Sequence, residues 1–109
     1  MKFIPLAIPD VILIKPEVFE DSRGFFLESY NARVFSKNGI KDIFVQDNHS
    51  KSAKGAVRGI HYQIPPKAQA KLLRVIRGKV FDVALDIRRN SKSFGKHVSI
   101  ILSAQDKSM

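Results

Sequence analysis

Short apolar runs separated by glycine, proline and polar residues recur along the chain, and this pattern predicts strands rather than helices. In the clearest run Phe81, Val83 and Leu85 alternate with Asp82 and Ala84, so the three apolar residues should share the packed face of a strand. We predict about seven short strands, drawn from the segments 11–14, 18–19, 25–30, 43–48, 57–64, 72–76, 80–87 and 97–102.

A single short helix is predicted after Asn31. Asparagine is a favourable N-cap, and Gly39 can adopt the left-handed conformation that ends a helix. The sequence shows no internal repeat or heptad pattern, and the elements indicate an all-β antiparallel sandwich or barrel. The 109 residues suit one domain, 1–109, and dimerisation would increase the surface that it buries.

The segment from Gly55 to Gly78 contains one histidine, His61, and places two of its five basic residues, Arg58 and Lys71, around two of the predicted strands. Arg58 and His61 are three residues apart, so a regular strand would put them on opposite faces. A bulge at Gly59 would return both side chains to one face, and we predict that bulge. Pairing of the two strands would bring Lys71 to the same pocket.

These side chains suit proton transfer next to a carbonyl group. A neutral histidine can remove the proton, and an ammonium group can stabilise the enolate oxygen that develops. Racemisation, epimerisation and isomerisation all fit this chemistry. A lone histidine is more often structural. Because Arg58, Lys71 and Asp82 are expected nearby, we interpret His61 as a catalytic residue and Asp82 as a further pocket residue.

Other polar residues share predicted strand faces with aromatic rings. Glu28 shares one face of a predicted strand with Phe26 and Tyr30. Its side chain either lines a pocket or is solvated. Gln46 and Asn48 share a face with a phenyl ring. Amide groups in that setting can hydrogen-bond a ligand, although amides near a strand end also form ordinary turns.

The formal net charge of +9 arises in residues 51–109, which hold 13 basic and three acidic residues against six and seven in residues 1–50. This bias either serves solubility or favours an anionic partner. Few aromatics are interleaved with the lysines, so nucleic acid is the weakest candidate. The chain has no cysteine, and its start resembles neither a signal peptide nor a membrane span, so we expect a cytoplasmic protein without a membrane partner.

Spacing adds the outline of a cupin motif. Gly55, His61, Gln63, Lys71 and Gly78 follow the motif order of glycine, histidine, histidine, glutamate and glycine, with a longer insertion before the lysine. Glutamine and lysine therefore replace two of the usual metal ligands, and an ammonium group has no lone pair for a metal. We expect a cupin barrel without a metal ion.

The dTDP-4-dehydrorhamnose 3,5-epimerases (the RmlC family) closely resemble this sequence in DSRGFFLESY, FVQDNHSKSAKGAVRGIHYQ, PPKAQAKLLRVIRGKVFDVALDIRRNSKSFGK and ILSA. The resemblance runs from about Pro9 to the last residues. It implies a cupin-type jelly roll, a homodimer that exchanges N-terminal strands, and no cofactor. It also implies epimerisation at C3 and C5 of dTDP-4-dehydro-6-deoxy-D-glucose in dTDP-L-rhamnose biosynthesis, which feeds surface polysaccharide.

The same resemblance implies roles for individual residues. His61 matches the family's proton acceptor, and Lys71 matches the group that stabilises the enolate. Further positions match substrate-binding residues of the family, namely Arg23, Glu28, Gln46, Asp47, Asn48 and Arg58.

Members of the family continue beyond the position of Met109, with a second histidine, a proton-donating tyrosine and an aspartate that orients the catalytic histidine. The resemblance thus implies the N-terminal portion of an epimerase, with a jelly roll incomplete at its C-terminus. We expect less covered sheet edges and apolar faces, such as that of Phe81, Val83 and Leu85, and either reduced stability or self-association. A single-site epimerase or ketoisomerase on a related dTDP-sugar, and a nucleotide-sugar binder without turnover, are the alternatives.

Overall fold

The computed structural model describes all residues, Met1–Met109, and contains six strands and one helix. The elements are β1 (Lys2–Pro5), β2 (Ile12–Lys15), β3 (Val18–Asp21), β4 (Gly24–Leu27), α1 (Ala32–Lys37), β5 (Lys79–Leu85) and β6 (His97–Ser103). Sequential strands pair as three antiparallel two-stranded sheets, β1–β2, β3–β4 and β5–β6. The prediction of a strand-rich chain with one short helix is confirmed. None of its helical structure has the length and apolar character that crossing a bilayer requires.

The chain divides into two compact units. The strand unit comprises Met1–Asn31 and Leu72–Met109, and it contains all six strands. The other unit, Ala32–Lys71, contains α1 followed by a long segment without regular structure. Phe35 is the buried residue of α1, with 1% of its surface exposed.

The core of the strand unit forms where β2 meets the last residues of the chain. Ile14 and Met109 exchange backbone hydrogen bonds of 2.8 and 2.9 Å. Both side chains are buried, together with Ile8 and Leu102. The pattern does not predict β1, because Pro5 interrupts the apolar run; in the structure this proline is the last residue of the strand, opposite Ile12.

The β5–β6 hairpin covers one face and exposes the other. Leu102 is buried on one face, whereas Phe81, Val83 and Ile101 on the opposite face are 69%, 44% and 58% exposed. The prediction that Phe81, Val83 and Leu85 form the packed face is therefore wrong for this chain. Alternation determines which side chains share a face, but not which face meets a second layer. The expectation of poorly covered apolar faces is confirmed.

Three predicted strands are wrong, because no strand forms over 43–48, 57–64 or 72–76. A strand requires hydrogen bonds to a neighbouring backbone, and these segments join no ladder in this chain. Their apolar side chains are accordingly exposed, with Val57 at 90% and Ile60 at 77%. The predicted bulge at Gly59 is also absent, since there is no ladder for it to interrupt.

A buried carboxylate organises the loop between β5 and β6. Asp86, 6% exposed, accepts five hydrogen bonds: from the Arg88 backbone N–H, Nε and Nη2, and from the hydroxyls of Ser91 and Ser93, at 2.6 to 3.0 Å. Arg88 also donates from Nη1 to Asp10 Oδ2 at 2.6 Å. Arg88 thus joins the loop to the turn after β1. These hydrogen bonds, those of Arg88 first, hold the pKa of Asp86 far below its ordinary value.

The chain is expected to self-associate through the exposed face of β5–β6, because association removes apolar surface from water. The double substitution Phe81→Lys with Ile101→Lys should shift sedimentation towards the monomer at high protein concentration. Phe94→Lys is the matched control, since it changes a ring that is similarly exposed (54%) but lies in the loop after β5. A monomeric parent chain with a sharp thermal transition would contradict this expectation.

Candidate functional site

Arg23 lies at the tip of the β3–β4 hairpin, in the two-residue connection between Asp21 and Gly24. The Asp21 carboxylate accepts hydrogen bonds from the Arg23 backbone N–H at 2.8 Å and from Arg23 Nη2 at 2.6 Å. The guanidinium holds the pKa of the Asp21 carboxyl below its usual range, and the carboxylate raises the pKa of Arg23. The tip therefore presents a permanent cation at an exposed position.

Glu28 follows β4 directly and is exposed. Its Oε2 accepts a hydrogen bond from Asn31 Nδ2 at 2.9 Å. It lies two residues after Phe26, which is 70% exposed. The strand pairing ends at Leu27, so the sharing of a face by Phe26 and Glu28 stays a prediction.

The amides of Gln46 and Asn48 contact one another through Gln46 Nε2 and Asn48 Oδ1, at 3.1 Å. They therefore point to the same side, as the alternation predicts, although the segment is not a strand. Asp47 lies between them and is exposed. This short segment gathers donors and acceptors suited to a polar ligand.

Arg58 is held by the preceding loop. Its Nε donates to Ser52 Oγ at 2.9 Å and its Nη2 donates to the Lys51 carbonyl at 3.2 Å. No hydrogen bond or ion pair joins Arg58 to His61 or Lys71 in this chain. Convergence of the three side chains therefore stays a prediction.

His61 is exposed, and the backbone just before it is unusual. Gly59 has φ of 119°, a conformation that L side chains rarely adopt. A Cβ at this position would also lie 3.2 Å from His61 Nδ1. Glycine thus lets the imidazole approach the chain closely, so Gly59 helps to set its position without any bulge.

The structure divides the candidate residues between the two units. Residues 32–71 contain six of them, namely Gln46, Asp47, Asn48, Arg58, His61 and Lys71, all exposed. The strand unit contains Arg23, Glu28 and Asp82. Asp82 is half-buried in β5 opposite Ile100, on the covered face of that hairpin.

Sequence reasoning missed a cavity of about 300 Å³ in the strand unit. Its lining is mainly apolar with two cations, and it comprises Phe25, Phe26, Leu27, Ser29, Arg74, Val75, Ile76, Ala104, Lys107 and Met109. The last seven residues look like a polar tail in the sequence. The available signal was the Ser103–Asp106 spacing, because the Ser103 hydroxyl bonds both the Asp106 carboxylate and its backbone N–H and so marks an ordered turn.

Comparison with known proteins places these features in one family. The family model described as dTDP-4-dehydrorhamnose 3,5-epimerase matches residues 5–109. The dTDP-4-dehydrorhamnose 3,5-epimerase of Shigella flexneri is 56% identical over 108 residues, which is 98% of this chain and 60% of that protein. The chain therefore spans about 60% of the length of this relative.

Solved structures show the same relationship. The Bacillus anthracis dTDP-4-dehydrorhamnose 3,5-epimerase, with TDP and PPi bound, superimposes with a TM-score of 0.94 at 44% identity, covering 98% of this chain and 62% of that one. The Legionella pneumophila enzyme, in complex with dTDP-4-keto-L-rhamnose, gives 0.93 at 46% identity, with 98% and 57% covered. These matches confirm the cupin-type jelly-roll assignment.

Proposed function

Because the chain belongs to the dTDP-4-dehydrorhamnose 3,5-epimerase family, we propose that its protein converts dTDP-4-dehydro-6-deoxy-D-glucose to dTDP-4-dehydro-L-rhamnose. The observation that carries this proposal is the family match over residues 5–109, which includes every candidate site residue. The dTDP-4-keto-L-rhamnose bound by the Legionella pneumophila relative is the product of that reaction. The cytoplasm is the proposed location, and the absence of cysteine suits its reducing conditions.

His61 acts as the base in this proposal. The hydrogens on C3 and C5 are acidic because each carbon adjoins the 4-keto group, so removal of either proton gives an enolate. The Lys71 ammonium stabilises the negative oxygen of that enolate. Inversion also needs a proton delivered from the opposite face, and the resemblance assigns this to a tyrosine beyond the position of Met109. No step requires a cofactor or a metal ion.

Substrate binding is assigned to Arg23, Glu28, Gln46, Asp47, Asn48 and Arg58, with Asp82 as a further pocket residue. Arg23 and Arg58 are exposed cations, which suits an anionic diphosphate. The contact between Gln46 and Asn48 presents neighbouring amide groups for polar parts of the ligand.

A homodimer is part of the proposal. Exposed apolar residues such as Phe81 and Phe26 support burial against a second subunit. With exchange of N-terminal strands, some substrate contacts in each site would come from the other subunit.

The chain should catalyse deuterium exchange when it is incubated with dTDP-4-dehydro-6-deoxy-D-glucose in heavy water. Proton NMR should show loss of signal at C3 and C5, with the L-rhamno product if the configuration inverts. Exchange at one carbon would identify a single-site epimerase, and movement of the keto group would identify a ketoisomerase. Binding of the substrate by folded chain without exchange would leave a nucleotide-sugar binder. Salt-dependent binding of nucleic acid without any sugar-nucleotide binding would overturn the proposal.

A further inference from the structure

We propose that Lys107 is a positioning residue, which fixes the β3–β4 hairpin and thereby places Arg23 and Glu28 for nucleotide-sugar binding. This inference rests on the proposed function, because it takes these two residues as substrate ligands. No feature of the sequence alone marks Lys107, which lies in an apparently polar tail.

The ammonium group of Lys107 contacts both strands of the hairpin. Nζ lies 3.6 Å from Glu20 Oε1 of β3 and 4.6 Å from the ring centroid of Phe25 in β4. Nζ also donates a hydrogen bond to the Gln105 carbonyl at 3.2 Å. Only 17% of the lysine side chain is exposed. An ion pair and a cation–π contact from one group thus tie two strands to the turn after β6.

The contacts involve one face of the hairpin. Glu20 and Phe25 are cross-strand partners and therefore share a face. Phe26 belongs to the opposite face by alternation, Arg23 is at the tip, and Glu28 follows the last paired residue, Leu27. Lys107 consequently contacts the face of Glu20 and Phe25, and the candidate binding residues Arg23 and Glu28 are exposed.

The hairpin needs such a tether. β3 and β4 are four residues each and form a sheet of only two strands. An isolated two-stranded hairpin is marginally stable in water, so its orientation depends on contacts made outside the sheet. Glu20 and Phe25 are the cross-strand pair next to Asp21 and Gly24, so Lys107 holds the hairpin close to the tip where Arg23 lies.

The backbone at Lys107 is a second, independent indication. Its φ is 57°, and it is the one non-glycine residue of the chain with a positive φ. Glycine or asparagine would adopt that conformation with less strain. A lysine at this position is explained by what its side chain contacts, because its backbone conformation does not favour it.

The test measures dTDP binding by calorimetry for Lys107→Asn, Lys107→Arg and the parent chain. Asparagine tolerates the positive φ but removes the cation, so affinity should fall about fivefold without loss of thermal stability. Arginine keeps the charge and the ring contact, so its affinity should stay near that of the parent. Lys92→Asn removes one charge from an exposed turn and serves as the matched control, with little effect expected.

Glu20→Gln separates positioning from simple electrostatics. If Lys107 acted only as a positive charge near the ligand, removal of the neighbouring carboxylate would strengthen binding of an anion or leave it unchanged. Positioning predicts weaker binding, and it predicts that Glu20→Gln adds little once Lys107 is asparagine. Tighter or unchanged binding in Glu20→Gln would overturn the inference.

Amide hydrogen exchange provides a readout that does not depend on any ligand. Lys107→Asn should accelerate exchange in residues 18–27 while leaving β5–β6 unchanged. Unchanged exchange in the hairpin overturns the positioning role, whatever the chain binds. Arg23→Ala distinguishes the two proposals: if it leaves dTDP affinity intact, the proposed binding site is wrong, whereas an effect of Arg23→Ala without one of Lys107→Asn refutes only the role of Lys107.

Discussion

Replacement of His61 by asparagine is expected to abolish deuterium incorporation at C3 and C5 of the substrate, lowering the exchange rate by at least about 100-fold. Asparagine has nearly the shape of the imidazole's inner half but cannot accept a proton at neutral pH. The rate is measured by NMR in heavy water, as for the parent chain. Affinity for dTDP should change little, because His61 is assigned to the sugar carbons and not to the nucleotide.

His49→Asn is the matched control, because His49 is an exposed histidine of the same unit. Its exchange rate should equal that of the parent chain. Circular dichroism and thermal melting of both variants show whether either substitution unfolds the chain. Equal exchange rates for folded His61→Asn and the parent would refute His61 as the base. If the parent itself shows no exchange, chemistry requires more of the protein than these residues, and the chain is at most a binder.

Replacement of Asp86 by asparagine is expected to cause the largest loss of stability among single polar substitutions, with a fall in Tm on the order of 5–10 °C. The carboxylate is buried and accepts five hydrogen bonds. An amide loses the charge that faces Arg88 and also turns a donor towards donors. Thermal denaturation by circular dichroism measures the change. Asp42→Asn, at an exposed position of the other unit, is the control and should leave Tm unchanged.

The lowered pKa of Asp86 also indicates how the stability of the chain depends on pH. Folding lowers the pKa of this carboxyl from its ordinary value of 3.8, so the unfolded state binds the proton more tightly. The stabilisation is therefore complete above about pH 5 and is lost progressively as pH falls below the unfolded pKa. Urea midpoints measured from pH 6 to pH 3 should decline less steeply in Asp86→Asn than in the parent. Parallel declines would show that other groups dominate the acid response.

Local structure could be predicted from the sequence wherever it depended on residues close together in the chain. The short helix α1 and the alternation in β5 were predictable because capping and side-chain alternation involve residues close in the chain. The juxtaposition of Gln46 and Asn48 followed from the same alternation. The long motifs around His61 and Lys71 were specific enough to indicate the family.

The pairing of strands that are distant in the sequence could not be predicted from the sequence. The alternation over 57–64 is as regular as that of β5, yet only β5 finds a partner in this chain, and a strand requires hydrogen bonds to another backbone. The alternating pattern of β5 is the same whichever face a second layer covers, so the expectation that Phe81 is poorly covered came from the family resemblance and not from the pattern.

The amino-acid order thus determined the turns, the faces and the chemical character of the candidate residues, because each depends on side chains within a few positions of one another. Folding in three dimensions decided the ion pair of Arg88 with Asp10, and the contact of Lys107 with Glu20 and Phe25. The contact of Lys107 joins residues more than 80 positions apart, and no local preference encodes such an approach. Its partners become apparent only when the hairpin and the last turn are packed together.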